Sequence, residues 1–176
     1  MNIYNYKFII QLTFTILFLL PLIYPVNWTG NEFNYFGIAK HTVDPNPYSQ
    51  LYASYNEQLS RFLSDYTIGS FIKLFGADNA WVILRLVGLI GISLAFVFLC
   101  RTLEIALVPS VFALFFFKKL EQTYFGGEWM FYGIEPKVFS YIFVFFGLAY
   151  AIKNKLSVAV IFLSLATYFH FLVGGF

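Results

Sequence analysis

Charged residues are scarce in this sequence: Asp, Glu, Lys and Arg make up 11% of its 176 residues, against about one quarter in soluble domains. Hydrophobic residues make up 60% and aromatic residues 23%, and the mean hydropathy is +0.72. The net charge of +2 is small, and Lys and Arg form no extended run, which argues against nucleic-acid binding. A lipid bilayer is therefore the predicted environment for most of the chain.

Cysteine and the common motifs of soluble enzymes are also scarce. Cys100 is the single cysteine, so the chain can form neither an intrachain disulfide nor a cysteine metal cluster. The sequence contains no HExxH, GxGxxG, Walker loop, GxSxG or CxxC pattern. Soluble hydrolase, nucleotide-binding and zinc-site hypotheses therefore have no support.

Long apolar runs predict an all-α, polytopic transmembrane protein with about five membrane helices in a single membrane domain. A spanning helix needs about 20 mostly apolar residues. The predicted spans are 8–26, 80–100, 105–117, 138–152 and 156–176. The third run is short and contains Pro109, so it is either a short span or a re-entrant helix. The last run continues to the final residue, which predicts that the sequence is the N-terminal part of a longer protein.

The two longest polar segments, 27–79 and 118–137, are predicted outer loops. Within the first, Leu51, Tyr55, Leu59 and Phe62 recur at helical spacing, and a second apolar pattern ends at Gly76. These patterns predict amphipathic helices that lie in the membrane interface. Arg85, near the start of the second span, is expected to extend its guanidinium toward the interface.

Basic residues near the span ends predict a cytoplasmic N-terminus. The basic residues of the predicted inside segments are Lys7, Arg101, Lys153 and Lys155. Lys118 and Lys119 oppose this orientation, because they would lie at the outer end of the third span. If the third run is re-entrant, the orientation of every later segment is reversed.

The segment GGEWMFYGIEPK, residues 126–137, contains the strongest candidate for an anion site. Pro136 suits the first position of a helix, where its missing N–H costs nothing, and Glu135 then lies at the N-cap. Lys137 would sit beside unpaired backbone N–H groups, an arrangement that binds phosphate. The alternative is a structural lysine that pairs with Glu135.

Three other ionisable residues are site candidates. His170 is expected about 20 Å along the fifth span, near the level of Lys137; the alternative is a packing residue. Glu32 follows the first span and is a candidate general base or divalent-cation ligand. A solvated loop charge is the alternative for Glu32 and also for Glu128.

Two segments resemble a group of uncharacterised bacterial polytopic membrane proteins: EPKVFSY, from Glu135, and ATYFHFLVGG, from Ala166. The order of one span, a large outer loop with an early acid, and many further spans resembles the GT-C membrane glycosyltransferases. That resemblance implies sugar transfer from a polyprenyl-phosphate donor at the outer face, often with a divalent cation such as Mg²⁺ or Mn²⁺. It implies that Glu32 is the catalytic carboxylate and cation ligand, although GT-C enzymes usually carry an Asp-containing pair there.

The leading hypothesis is therefore a GT-C-like glycosyltransferase that acts on a lipid-phosphate-linked sugar. Glu32 would be catalytic, and the predicted substrate-binding residues are Glu128, Glu135, Lys137 and His170. The alternative is a transporter or flippase for a lipid-linked or anionic solute, in which the same charges only bind. A third possibility is a non-catalytic scaffold, in which these charges scatter around the rim.

Overall fold

The computed structural model describes residues 3–23, 28, 30–44, 61–119 and 133–175. These residues form the helices α1 (Ile3–Ile23), α2 (Gly30–Val43), α3 (Phe62–Phe75), α4 (Ala77–Thr102), α5 (Leu107–Lys119), α6 (Pro136–Ile152), α7 (Leu156–Phe169) and α8 (Phe171–Gly174). No strand occurs within the described ranges, so the predicted all-α fold is confirmed.

One described helix, α4, is long and apolar enough to cross a membrane by length and composition. It has 26 residues and a mean hydropathy of 2.6 over its apolar window. The shorter apolar helical stretches are Tyr6–Pro21, Leu107–Phe117, Pro136–Ile152 and Leu156–Phe169. Five spans therefore stay a prediction, whereas one candidate span is a finding.

The predicted first outer loop contains two of the described helices. The helix end predicted at Gly76 is confirmed, because Gly76 adopts φ +78° between α3 and α4, a conformation that costs a glycine little. The helix α2 was not predicted from the sequence. Residues 45–60 lie outside the described part, and with them most of the amphipathic helix predicted from Leu51.

The helices α4 and α6 run side by side in the same direction. A Cβ atom added to Gly88 would lie 3.0 Å from Ile134, just before α6 begins. Further along, the ring of Phe98 lies 5.5 Å from Phe146 and 5.4 Å from Tyr150. The start of α6 is therefore level with the middle of α4.

The helix α7 returns antiparallel to α6. The Ser140 hydroxyl donates a hydrogen bond of 2.8 Å to the Ala166 carbonyl oxygen. Seven residues later along α6, a Cβ atom on Gly147 would lie 3.4 Å from the Ala159 carbonyl oxygen. This register continues from Ala166 to His170 and puts His170 level with the first turn of α6.

The prediction of one continuous helix over 156–176 is wrong. Helix α7 ends at Phe169, and His170 has extended backbone angles of φ −155° and ψ 105°. The chain then folds back, because the Thr167 hydroxyl donates a 2.9 Å hydrogen bond to the Gly174 carbonyl oxygen. Gly174 permits this approach, since a side chain there would collide with the backbone of Thr167.

Candidate functional site

The ion pair between Glu32 of α2 and Arg85 of α4 is the centre of the candidate site. Arg85 Nε donates a 2.9 Å hydrogen bond to Glu32 Oε1, and its terminal nitrogen donates a 2.6 Å bond to Oε2. Both side chains are buried. A bidentate arginine–carboxylate pair holds both groups in a defined orientation. The expectation that Arg85 extends toward the membrane interface is therefore wrong, and Glu32 is not a solvated loop charge.

Glu32 also binds the segment that leads into α6. The Ile134 backbone N–H donates a 2.6 Å hydrogen bond to Glu32 Oε1. Gly133 allows this contact, because a Cβ atom there would lie 2.6 Å from the Glu32 carboxyl carbon. One carboxylate thus joins α2, α4 and the start of α6.

The second ion pair of the site lies in the first turn of α6. Lys137 Nζ is 3.0 Å from Glu135 Oε2, and both side chains are buried. Pro136 occupies the predicted first position of the helix, and Glu135 is its N-cap residue with an extended backbone. The predicted helix start is confirmed, and Lys137 forms the pair with Glu135 that the alternative to an anion site predicted.

An aromatic layer lies next to the central ion pair. The Arg85 guanidinium lies 4.1 Å from the centre of the Trp81 ring. Trp81 stacks on Trp28 at 5.3 Å, and Trp28 contacts Phe36 edge-on at 4.9 Å. Arginine over an aromatic face gains energy when water is excluded, so this layer further restrains Arg85.

A third polar group, formed by Tyr35, Arg61 and Asp65, extends the site toward α3. The Arg61 guanidinium lies 4.9 Å from the Tyr35 ring centre. Burial, and then the charge of Glu135, raise the pKa of Tyr35, whereas Arg61 and Lys137 oppose the rise. Tyr35 is therefore within electrostatic reach of the Glu135–Lys137 pair. Asp65 lies one helical turn after Arg61.

The site lies inside the helix bundle and not at its end. Arg85 is about 12 Å along α4 from Ala77, at about 1.5 Å per residue. The start of α6 packs still further along, at Gly88. Every charged member of the two ion pairs is buried, so these charges form an internal polar layer.

Of the predicted site residues, the structure brings Glu32, Glu135 and Lys137 together around Ile134. His170 is buried at the end of α7, and the helix register puts it level with the first turn of α6. Glu128 lies outside the described residues. No group of three or more His, Cys, Asp or Glu side chains converges within the described ranges.

Sequence reasoning missed four members of the site: Arg85, Tyr35, Arg61 and Asp65. A charge inside a long apolar helix was the available signal for Arg85, since such a charge needs a partner. Arg61 and Asp65 carried no local signal, because an i,i+4 pair of opposite charges is typical of any exposed helix.

A separate cleft of about 810 Å³ lies at the C-terminal end of α4. Its lining includes Lys7 and Gln11 of α1, Arg101 and Glu104 near the end of α4, and residues 105–107. The Gln11 side-chain amide donates a 3.0 Å hydrogen bond to the Ser110 hydroxyl, which fixes α1 against α5 there.

Comparisons of the chain with protein-family profiles, with curated proteins and with solved structures found no match. Its function must be inferred from its own residues.

Proposed function

We propose that this protein is a multi-pass membrane enzyme that transfers a sugar from a lipid-phosphate carrier to a hydroxyl group. Its orientation would be the one predicted from the basic residues, with the N-terminus on the cytoplasmic side of a bacterial inner membrane. The observation that carries the proposal is the buried Glu135–Lys137 pair in the first turn of α6, beside the Glu32–Arg85 pair.

Buried ion pairs are a costly way to stabilise a helix bundle. Removing two charges from water can cost more than their mutual attraction returns, and apolar residues of similar volume are often more stable. Here two pairs occur in one layer of a chain that is only 11% charged. Ionisable residues at such depth favour a functional explanation over a structural one.

The start of α6 has the features of a phosphate site. The positive end of the helix dipole at the N-terminus of α6 favours an anion. Lys137 adds a positive charge in the same turn, and Glu135 balances it with its carboxylate 3.0 Å away. A lipid phosphate that entered the site would replace that carboxylate as the partner of Lys137.

In the proposed reaction, the acceptor hydroxyl oxygen attacks the anomeric carbon of the sugar. The bond between that carbon and the phosphate oxygen breaks, and its electron pair stays on the phosphate. Lys137 and the N-terminus of α6 stabilise the negative charge that develops on this leaving group. A carboxylate of the site accepts the hydroxyl proton.

Glu32 was the carboxylate predicted from the sequence, and its environment favours a positioning role. Its two oxygens already accept hydrogen bonds from Arg85 and the Ile134 N–H. For the same reason the described residues do not fit a Mg²⁺ or Mn²⁺ ion at Glu32, and no step above uses one. Glu32 as the catalytic base stays a prediction.

The test is sugar transfer by the purified protein in proteoliposomes, with a radiolabelled polyprenyl-phosphate-linked glucose as donor and octyl glucoside as acceptor. Loss of one charge-assisted bond costs about 1.5–3 kcal/mol, so Lys137→Ala should weaken donor binding about 10- to 100-fold. Glu32→Gln should reduce transfer by releasing the start of α6. Lys40→Ala, at an exposed lysine of α2, is the matched control.

Unchanged transfer in both Glu32→Gln and Lys137→Ala would show that this mechanism is wrong. Movement of the labelled donor across the bilayer without cleavage of the sugar–phosphate bond would instead support the transporter or flippase.

A further inference from the structure

Asp65 is a buried carboxyl group, and one of its oxygens accepts no hydrogen bond within the described residues. Its residue is 6% exposed, and within the described part of the chain its Oδ1 atom has no hydrogen-bond partner. Burying a carboxylate oxygen without a donor is costly. A single unsatisfied polar atom of this kind calls for a specific explanation, and a bound hydrogen-bond donor is one.

The position of Asp65 connects this oxygen to the candidate site. Asp65 follows Arg61 by one turn of α3, on the face that packs against α2 together with Ile68 and Gly69. Arg61 contacts the Tyr35 ring, and Tyr35 is influenced by both Glu135 and Lys137. Asp65 is therefore linked to the proposed phosphate site through Arg61 and Tyr35.

The other acids of this layer are already engaged. Glu32 accepts hydrogen bonds on both oxygens, and Glu135 is paired with Lys137. Asp65 Oδ1 has no hydrogen-bond donor within the described part of the chain, so it can accept a hydrogen bond from a bound group. A carboxylate accepts hydrogen bonds only, so the group it binds must be a donor.

We propose that Asp65 binds the hydroxyl group of the acceptor and takes its proton during sugar transfer. The acceptor class is an alcohol, such as a sugar or another polyol. This assignment rests on the proposed transfer function and names the residue that serves the acceptor. Lys137 and the start of α6 serve the donor phosphate.

The reaction then balances without a further reactant. The acceptor oxygen forms a bond to the anomeric carbon as the bond from that carbon to the phosphate oxygen breaks. The hydroxyl proton moves to Asp65, and the electron pair of the broken bond stays on the phosphate. Asp65 afterwards releases its proton to water or to the phosphate product.

The protonation behaviour of Asp65 suits this role. Burial raises the pKa of Asp65 to about 6, and the positive charge of Arg61 opposes the rise. A base works best when its pKa is close to the operating pH, and Asp65 is still mostly ionised at pH 7. The elements packed against α3 carry further titratable groups near this layer, namely Glu32, Tyr35, Arg85 and His170.

The decisive experiment compares Asp65→Asn with the matched control Asp78→Asn in the same proteoliposomes. Asp78 is an exposed acid in the first turn of α4. A positioned base contributes about 10²- to 10⁴-fold, so Asp65→Asn should lower the transfer rate by that factor and leave donor binding unchanged. Asp78→Asn should keep wild-type transfer. The wild-type rate should fall as the pH drops through about 6.

Separate outcomes test the two proposals. If Asp65→Asn transfers within threefold of wild type while Lys137→Ala loses donor binding, Asp65 is not the base and the proposed function survives. If wild-type protein neither binds nor cleaves the donor, the proposed function fails, and the role of Asp65 fails with it.

Thermal unfolding of each variant shows whether a loss of transfer is only a loss of folding. Asp65→Glu provides a second test, because it keeps the carboxylate and moves it by one carbon. It should fold, retain donor binding and transfer more slowly than wild type. A folded Asp65→Asn with a wild-type rate and an unchanged pH profile would overturn the assignment.

Discussion

Glu32 and Arg85, 53 positions apart in the sequence, meet through two hydrogen bonds of 2.9 and 2.6 Å in the interior of the helix bundle. Glu32 also binds the Ile134 amide, so the pair connects the first predicted outer loop to the start of α6. The proposed phosphate site depends on this connection, because α6 begins within two residues of Ile134.

The Glu32–Arg85 pair predicts a large loss of stability when one partner is removed. Glu32→Gln would leave the Arg85 charge buried without its carboxylate, which costs about 3–5 kcal/mol in free energy of unfolding. Chemical denaturation in detergent measures this. Glu104→Gln, at an exposed glutamate between α4 and α5, should change it little. The double variant Glu32→Gln/Arg85→Met should lose less than the sum of the single losses; additive losses would contradict the pairing.

The close packing of Gly133 against Glu32 predicts that the methyl group added by Gly133→Ala disrupts the site. In Gly133→Ala the new Cβ atom would lie 2.6 Å from the Glu32 carboxyl carbon, so Glu32 or the start of α6 must move. Overpacking of this kind costs about 1–3 kcal/mol, and donor binding should weaken as well. Gly76→Ala is the control: its Cβ atom meets nothing within 4 Å, so it should lower stability through backbone strain and leave donor binding intact.

Asp65 predicts a pH dependence of stability. Its folded pKa of about 6 is above the ordinary value of 3.8, so ionisation is less favourable in the folded state. The free energy of unfolding should therefore be highest below about pH 4 and should fall as the pH rises through about 6. Asp65→Asn should stabilise the protein at pH 8 by up to about 3 kcal/mol and have little effect at pH 4. Equal stabilisation at both values would show that ionisation is not the cause.

Because α4 and α6 run in the same direction, cysteines introduced before the start of α4 and after the end of α6 should be labelled from opposite sides of the membrane. Ser70 of α3 lies just before the start of α4, and Ser157 lies just after the end of α6; both are exposed. With Cys100→Ser as background, a membrane-impermeant maleimide should label Ser70→Cys in intact cells. It should label Ser157→Cys only after the cells are opened. Labelling of both from one side would contradict the proposed topology.

Much of the helical structure could be predicted from the sequence, because its signals are local. The apolar runs each contain a described helix, Pro136 begins α6, and Gly76 separates α3 from α4. The break at His170 was not predictable in this way. It depends on the contact between Gly174 and Thr167, and the apolar run itself continues past His170 without interruption.

The sequence by itself determined an all-helical chain with several apolar runs and few charges, since hydropathy and the preferences of Pro and Gly act within a few residues. It also placed Glu135 and Lys137 in one helical turn, where neighbours in sequence are neighbours in space. Only the tertiary structure decided that Arg85 pairs with Glu32 and that Asp65 is buried. The physical reason is that a buried charge can be stabilised by a partner from any element that packs against it, and helix packing selects that partner.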